Sequence, residues 1–257
     1  MKLEGKVVVV TGAAAGIGRA MVQRFAKEKP KALVVADRDL PGAQGMAKEV
    51  GGFAVQCDVS REQDVAGLVK KAEESFGQLD LLVSNAGIAT SGGVELPDAE
   101  WQRTWEINVM AHVWAARAAL PAMLARGSGH LLSTASAAGL LSMIGAAPYS
   151  VTKHAAVAFA EWLAITYGDR GIKVSCLCPL FVDTQMLRTA LTSAGGGSVK
   201  ASGAVLEPAQ VAEAVVAGLE AEKFLILPHP EVAAYYAKKA ADPDRWLASM
   251  RKLQTAK

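Results

Sequence analysis

The chain has 257 residues, 51% of them hydrophobic and 20% charged, with a formal net charge of +2. That length supports one domain with a sizeable core, and the near-balanced charge gives nucleic acid or an anionic membrane no basic stripe to bind. No apolar run approaches the ~20 residues of a membrane span, and the opening MKLEGKVVVVTG enters a strand directly, without the apolar stretch and cleavage site of a signal peptide.

The first strand, KVVVVTG, runs into TGAAAGIGRA and a helix over about Ile17 to Glu28. A glycine-rich turn between strand and helix lets phosphates approach the main chain, where the free N–H groups of the helix N-terminus meet them. Gly12 is assigned to the tight turn, Gly16 to cofactor approach and Gly18 to close packing of helix on strand. The spacing is Gly-x-x-x-Gly-x-Gly rather than the commoner Gly-x-Gly-x-x-Gly.

The second strand, KALVVAD, ends at Asp37 and leads to a helix near Gly42 to Val50. A carboxylate at that point accepts from both adenosine ribose hydroxyls and repels a 2′-phosphate, which favours NAD. Arg38 is either a solvated surface charge or a partner for a 2′-phosphate, which keeps NADP open. FAVQCDV follows, then a helix from Gln63 to Phe76. Asp58 either accepts from the adenine amino group or caps that helix together with Ser60.

The fourth strand lies in LDLLVSNAG, ahead of a long helical region from about Asp98 to Arg126. Within it, WEINVMAHVW contains Asn108, a poor helix former. Its amide either serves something beyond the helix or caps a bend in it. HLLSTAS reads as a buried strand with Ser136 at its exit. The Ser136 hydroxyl either faces a cleft or satisfies a backbone group in the turn.

PYSVTKHAAVAFAEWL reads as a helix, and Tyr149 and Lys153 stand at i and i+4 on one face of it. An ammonium beside a phenol favours the ionised phenol, which would turn a poor base into a usable one. A surface helix with a snorkelling lysine gives the same spacing. IKVSCLCP is the sixth strand, followed by the small, glycine-rich segment 192–204, a helix near Ala209 to Ala221 and the short strand FLIL. The segment 192–204 is either a substrate lid or a surface loop. The tail 229–257 has a helical pattern anchored by Tyr235, Tyr236, Trp246, Leu247 and Met250. It covers a pocket or contacts a second subunit.

Unbroken Val/Leu/Ile runs alternating with helices predict an α/β fold: a parallel sheet joined by right-handed crossovers and covered on both faces. One dinucleotide-binding domain accounts for 1–257. Cys57, Cys176 and Cys178 are odd in number and lack zinc spacing, so reduced core thiols in a cytoplasmic protein are expected. His112, His130, His154 and His229 show no ligand spacing, so no metal is expected. Of the four, His229 is the one placed to border a pocket.

These parts together resemble the short-chain dehydrogenase/reductase family over roughly residues 5 to 230. The resemblance rests on Thr11-Gly12-Ala-Ala-Ala-Gly16-Ile17-Gly18, Asp58-Val59, Asn85-Ala86-Gly87, Asn108, Ser136 and Tyr149-x-x-x-Lys153. It implies a single-domain, Rossmann-like, doubly wound parallel sheet of about seven strands with helices on both faces, and an enzyme transferring a hydride between a nicotinamide cofactor and a secondary alcohol or ketone. In it, Tyr149 is the general acid/base, Lys153 lowers its pKa and holds the nicotinamide ribose, and Ser136 bonds the substrate oxygen. Asn108 holds a water that links Lys153 to solvent. Cofactor contacts fall to Gly12, Gly16, Ile17, Gly18, Asp37, Arg38, Asp58, Val59, Asn85, Ala86, Gly87, Tyr149, Lys153, Pro179, Val182 and Thr184. Substrate contacts fall to Ala138, Met143, Leu180, Phe181, Met186 and Leu187. The apolar composition of these last segments favours a bulky substrate: steroid-like, terpenoid or aryl. The alternative is a dinucleotide-binding sensor or scaffold on the same fold.

Two positions depart from the family pattern. Ser84 stands where a first asparagine is common, and a hydroxyl can replace one amide contact. Leu180 follows Pro179 where glycine is common; leucine resists positive φ and adds bulk beside the nicotinamide. A homodimer or homotetramer is implied, through the alanine-rich helices that carry Asn108 and Tyr149.

Overall fold

The computed structural model describes residues 1–192 and 204–255, so all but the two ends of the glycine-rich segment 192–204 lie outside the described residues. The strands are β1 (Val7–Thr11), β2 (Ala32–Asp37), β3 (Phe53–Gln56), β4 (Leu81–Ser84), β5 (Gly129–Thr134), β6 (Ile172–Leu177), β7 (Phe181–Val182), β8 (Val205–Leu206) and β9 (Leu225–Ile226). Seven of them form one parallel sheet in the order β3-β2-β1-β4-β5-β6-β9. The short β7 and β8 pair with each other, an addition the sequence pattern did not reveal.

The helices are α1 (Gly16–Ala26), α2 (Leu40–Val50), α3 (Glu62–Phe76), α4 (Asp98–Trp105), α5 (Ala111–Ala125), α6 (Ala138–Leu141), α7 (Ala147–Tyr167), α8 (Gln185–Thr192), α9 (Pro208–Glu220), α10 (Glu231–Ala241) and α11 (Pro243–Thr255). Strand side chains alternate between faces. In β1, Val7 and Val9 enter the core under α3, α5 and α7, while Val8 and Val10 enter the core under α1, α2 and α9. All four are fully buried, and each such valine contributes about 1.5–3 kcal/mol over an exposed one. The doubly wound layering expected from the unbroken apolar runs is present.

The sheet order steps outward from β1 to β3, then returns to β4 on the other side of β1. Such a reversal opens a crevice beyond the carboxyl ends of the strands. Thr11, Asp37, Ser84 and Thr134 all end strands there. The long helix expected over Asp98 to Arg126 is not regular. Residues Glu106–Met110, with Asn108 at their centre, form one π-helical turn between α4 and α5.

Candidate active site

A cleft of about 820 Å³ lies over those strand ends, large enough for a dinucleotide's reactive half and a small-molecule substrate together. Of the residues given catalytic, cofactor or substrate roles in the sequence, all but Gly18 and Asn108 line it.

One end is built by the glycine turn. Gly12 has φ +64°, and a Cβ there would come within 2.9 Å of Ala86 Cα. Gly16 has φ +54° and faces Thr184. A Cβ on Gly18 would meet the Gly12 carbonyl oxygen at 2.1 Å, so this glycine serves the close packing of helix on turn. Ala15 caps α1 without a side-chain bond, and the first turn carries no acidic residue. Gly12, Ala15, Gly16 and Ile17 therefore border the cleft as a bare cradle that suits a pyrophosphate. Asp37 sits at the cleft edge with Oδ2 accepting from Ala14 N at 3.0 Å and Oδ1 from Asp39 N at 3.0 Å. Arg38 beside it is exposed.

Asp58 does not cap α3, whose N-cap is Arg61. Its Oδ1 instead accepts from Ser60 N at 3.0 Å and Ser60 Oγ at 2.8 Å. Burial raises its pKa, but these two bonds prevail and hold the carboxyl below its ordinary value. The Asn85 amide is spent within the protein. It donates to Thr11 O at 2.9 Å and accepts from Thr134 Oγ1 at 3.2 Å, tying β1, β4 and β5 together below Ala86 and Gly87.

The other end holds the reactive side chains. α7 places Tyr149 and Lys153 one turn apart in the cleft wall. Lys153 Nζ donates to Thr134 O at 3.0 Å and lies 5.7 Å from the Tyr149 ring centroid. The protein's own groups move both pKa values by burial. The phenol rises above its ordinary value, with a side-chain hydrogen bond from Ser136 acting the other way. The ammonium falls to about 8. The lysine-driven drop expected for the phenol from the spacing alone is not among the causes, and burial dominates.

Both readings of Ser136 hold. It lines the cleft with Tyr149, and its hydroxyl accepts from Ala138 N at 3.1 Å and donates to Pro179 O at 3.5 Å in the turn. Asn108 lies behind the wall, fully buried. Its Oδ1 accepts from Ile88 N at 2.9 Å, and its Nδ2 donates to Ile88 O at 2.9 Å and to Thr152 Oγ1 at 3.2 Å. Gly87 separates it from Lys153: a Cβ there would lie 3.2 Å from Asn108 Oδ1 and 3.3 Å from Lys153 Nζ.

The remaining wall is apolar: Met143, Leu180, Phe181, Met186 and Leu187, with Ala138. Val182 and Thr184 border it on the cofactor side, and the Thr184 hydroxyl accepts from Leu187 N at 3.3 Å at the start of α8. Leu180 is not among the residues with positive φ, so the strain expected of it does not arise. Of the anchors in the tail, Tyr235, Trp246 and Met250 face the cleft, whereas Tyr236 and Leu247 are exposed. Thr134, Thr152 and Ile88 were not singled out in the sequence. They act through backbone or hydroxyl contacts that leave no pattern in it. Ser249 and Leu253 were missed as well, although one helical turn from Trp246 and Met250 would have reached them. Among the described residues no group of His, Cys, Asp and Glu could hold a metal ion.

The profile of a protein family described as "short chain dehydrogenase" matches residues 6–194. Estradiol 17-beta-dehydrogenase 11 of Pongo abelii is 34% identical over 96% of this chain and 83% of that relative. Borneol dehydrogenase, mitochondrial, of Lavandula x intermedia is 34% identical over 84% of this chain and 83% of its own. A crystal structure of a short chain dehydrogenase/reductase from Burkholderia phymatum in complex with NAD superposes with a TM-score of 0.86. It is 29% identical and covers 95% of this chain and 96% of that one.

Proposed function

The chain belongs to the short-chain dehydrogenase family, and from that premise we propose that this oxidoreductase interconverts bulky, apolar secondary alcohols and their ketones, with NAD as the preferred cofactor. The observation that carries the reading is the grouping of Ser136, Tyr149 and Lys153 on one wall of a cleft whose other walls are largely apolar.

When bound, the nicotinamide supplies the hydride acceptor or donor. Tyr149 Oη takes the hydroxyl proton of the alcohol in oxidation and returns it in reduction. Ser136 holds the substrate oxygen against Tyr149. Lys153, fixed to Thr134 O, keeps a cation beside the phenol as negative charge develops there. Asn108 clamps the Ile88 backbone to Thr152 on α7, which steadies the lysine that follows in sequence. The sensor or scaffold alternative has no observation in its favour.

Asp37 supports NAD over its 2′-phosphorylated form, because its carboxylate is held at the cleft edge by two backbone N–H groups. Names among the relatives, estradiol 17-beta-dehydrogenase and borneol dehydrogenase, support a polycyclic apolar substrate. Three free, buried thiols support a reducing compartment such as the cytoplasm. The outer face of α7 supports self-association into a dimer or tetramer. It exposes Val151, Trp162 and Ile165, the last by 83%.

A panel of hydrophobic secondary alcohols with NAD, followed by absorbance of the reduced cofactor, tests the activity. Turnover with polycyclic alcohols ahead of short linear ones is expected. No cofactor reduction with any member would end the reading.

A further inference from the structure

β6 leaves the sheet at Pro179. Its last ladder contact is Cys178 N to Ile226 O at 2.9 Å, and the Pro179 carbonyl is taken by Ala137 N at 2.8 Å, beside Ser136. Beyond that point the strap Leu180–Phe181 crosses the cleft wall with no strand beside it until Phe181 pairs with Val205. The N–H of Leu180 would then be left unpaired in a half-buried setting, which is costly.

One side chain binds both residues of the strap. His229, 1% exposed in the turn between β9 and α10, accepts from Leu180 N at 3.1 Å through Nδ1 and meets Phe181 O at 3.0 Å through Nε2. A backbone N–H only donates and a carbonyl only accepts, so the partners fix the tautomer: Nε2 carries the proton and Nδ1 its lone pair. The imidazole thus takes the place of a strand at Leu180 and adds a bond at the Phe181 carbonyl. It does so at Leu180, the position where this chain departs from the glycine common in its family.

We propose that His229 is a positioning residue for the cleft: its imidazole fixes the Leu180–Phe181 segment, and with it the wall that the nicotinamide end and the substrate end share. The consequence for turnover rests on the dehydrogenase reading above; the clasp itself does not. His229 also stands just before α10, whose Val232 N bonds its carbonyl at 3.1 Å, so the same residue ties the strap to the helix carrying Tyr235.

The full-length chain is compared with His229→Phe, which keeps the ring but neither accepts nor donates, and with His229→Gln, which does both. Lys239→Met is the control, because Lys239 fastens α10 elsewhere, to Leu140 O at 2.6 Å and His154 Nε2 at 3.3 Å. Hydrogen exchange over residues 180–182, with and without NAD, reads the clasp without needing turnover. Steady-state kinetics and ADP-ribose binding read its consequence. His229→Phe is expected to speed exchange at Leu180 and to lower kcat/KM about 10–10²-fold through misplacement of the wall, with ADP-ribose binding within about twofold. His229→Gln should recover most of both, and Lys239→Met should leave exchange at Leu180 as it was. Should His229→Phe fail to fold, His229→Asn, too short to reach both partners, is read in its place. Unchanged exchange at Leu180, unchanged kcat/KM despite faster exchange, no recovery by glutamine, or the same exchange change in Lys239→Met would each overturn the proposal. A wild-type enzyme inert toward every alcohol would instead sink the functional reading and leave the exchange result to judge the clasp.

Discussion

Lys153 Nζ lies 5.7 Å from the centre of the Tyr149 ring and is held there by the carbonyl of Thr134 at 3.0 Å. The cation is therefore fixed by backbone, not by the phenol, and stays in place when the tyrosine changes. Tyr149→Phe should lower turnover about 10²–10⁴-fold, the usual worth of general acid–base catalysis. The dissociation constant for NAD should hardly move. Near-normal turnover in this variant would remove Tyr149 from the chemistry.

Gly87 fills the gap between Asn108 and Lys153. Both neighbours are pinned, Asn108 to Ile88 and Lys153 to Thr134, so neither yields freely to an added methyl. Gly87→Ala should cut kcat at least about tenfold by displacing the ammonium, with a small change in melting temperature. Full activity would show that the gap has no bearing on the lysine.

Two buried histidines make the fold sensitive to acid. Burial pushes His112 down to about 3 and His130 down to about 4. The unfolded chain binds a proton on each near pH ~6.5 and the folded one does not, so their contribution is whole above that pH and is lost as pH falls toward the folded values. At pH 5 the loss is about 2 kcal/mol for each. Urea denaturation at pH 7.5 and pH 5 should show it. His112→Leu should remove roughly half the drop, because both ring nitrogens of His112 lack a protein partner and leucine loses no bond there. An identical pH dependence in this variant would contradict the assignment.

Cofactor choice turns on Asp37. Asp37→Ser keeps a small polar group at the cleft edge, removes the charge and leaves Arg38 in place. Its NADP affinity should rise about tenfold or more relative to NAD, the scale of one lost like-charge contact of ~1.4 kcal/mol. Direct titration of both oxidised cofactors checks it. A wild-type preference for the phosphorylated form would reverse the role given to Asp37.

The exposed face of α7 should hold subunits together. Phe159 stacks on Trp162 with ring centres 6.4 Å apart, and Ile165 projects beside them. Ile165→Asp combined with Trp162→Glu should shift the mass measured by light scattering toward the monomer. A wild-type monomer at micromolar concentration would end this part of the reading.

Much of this was legible in the chain itself. The parallel sheet followed from valine runs buried on both faces, and the glycine turn announced itself because glycine adopts the positive φ found at Gly12 and Gly16 at least cost. Tyr149 and Lys153 were readable because helical spacing carries side chains to one face. The direction of their pKa shifts was not, since burial depends on neighbours from β5, β6 and α6 that spacing cannot show. Nor was the use of Asn85, whose amide turned inward to three strands. The split among the alanines of α5 and α7 also needed the fold: Ala115, Ala119 and Ala156 face the core, while Ala158 is exposed. His229 could be suspected of bordering a pocket, but its two backbone partners sit 48 and 49 residues away.

The π turn at Glu106–Met110 has a consequence for how this region tolerates length change. Such a turn is an α-helix carrying one surplus residue, inserted without breaking the rod. Deleting a single residue between Glu106 and Asn108 should restore an ordinary winding and leave a stable helix. The flanking helices would keep their faces, and the residues within the turn would shift. The amide now gripping Ile88 would swing off its target, so a protein could keep its shape and lose its clamp through one missing codon.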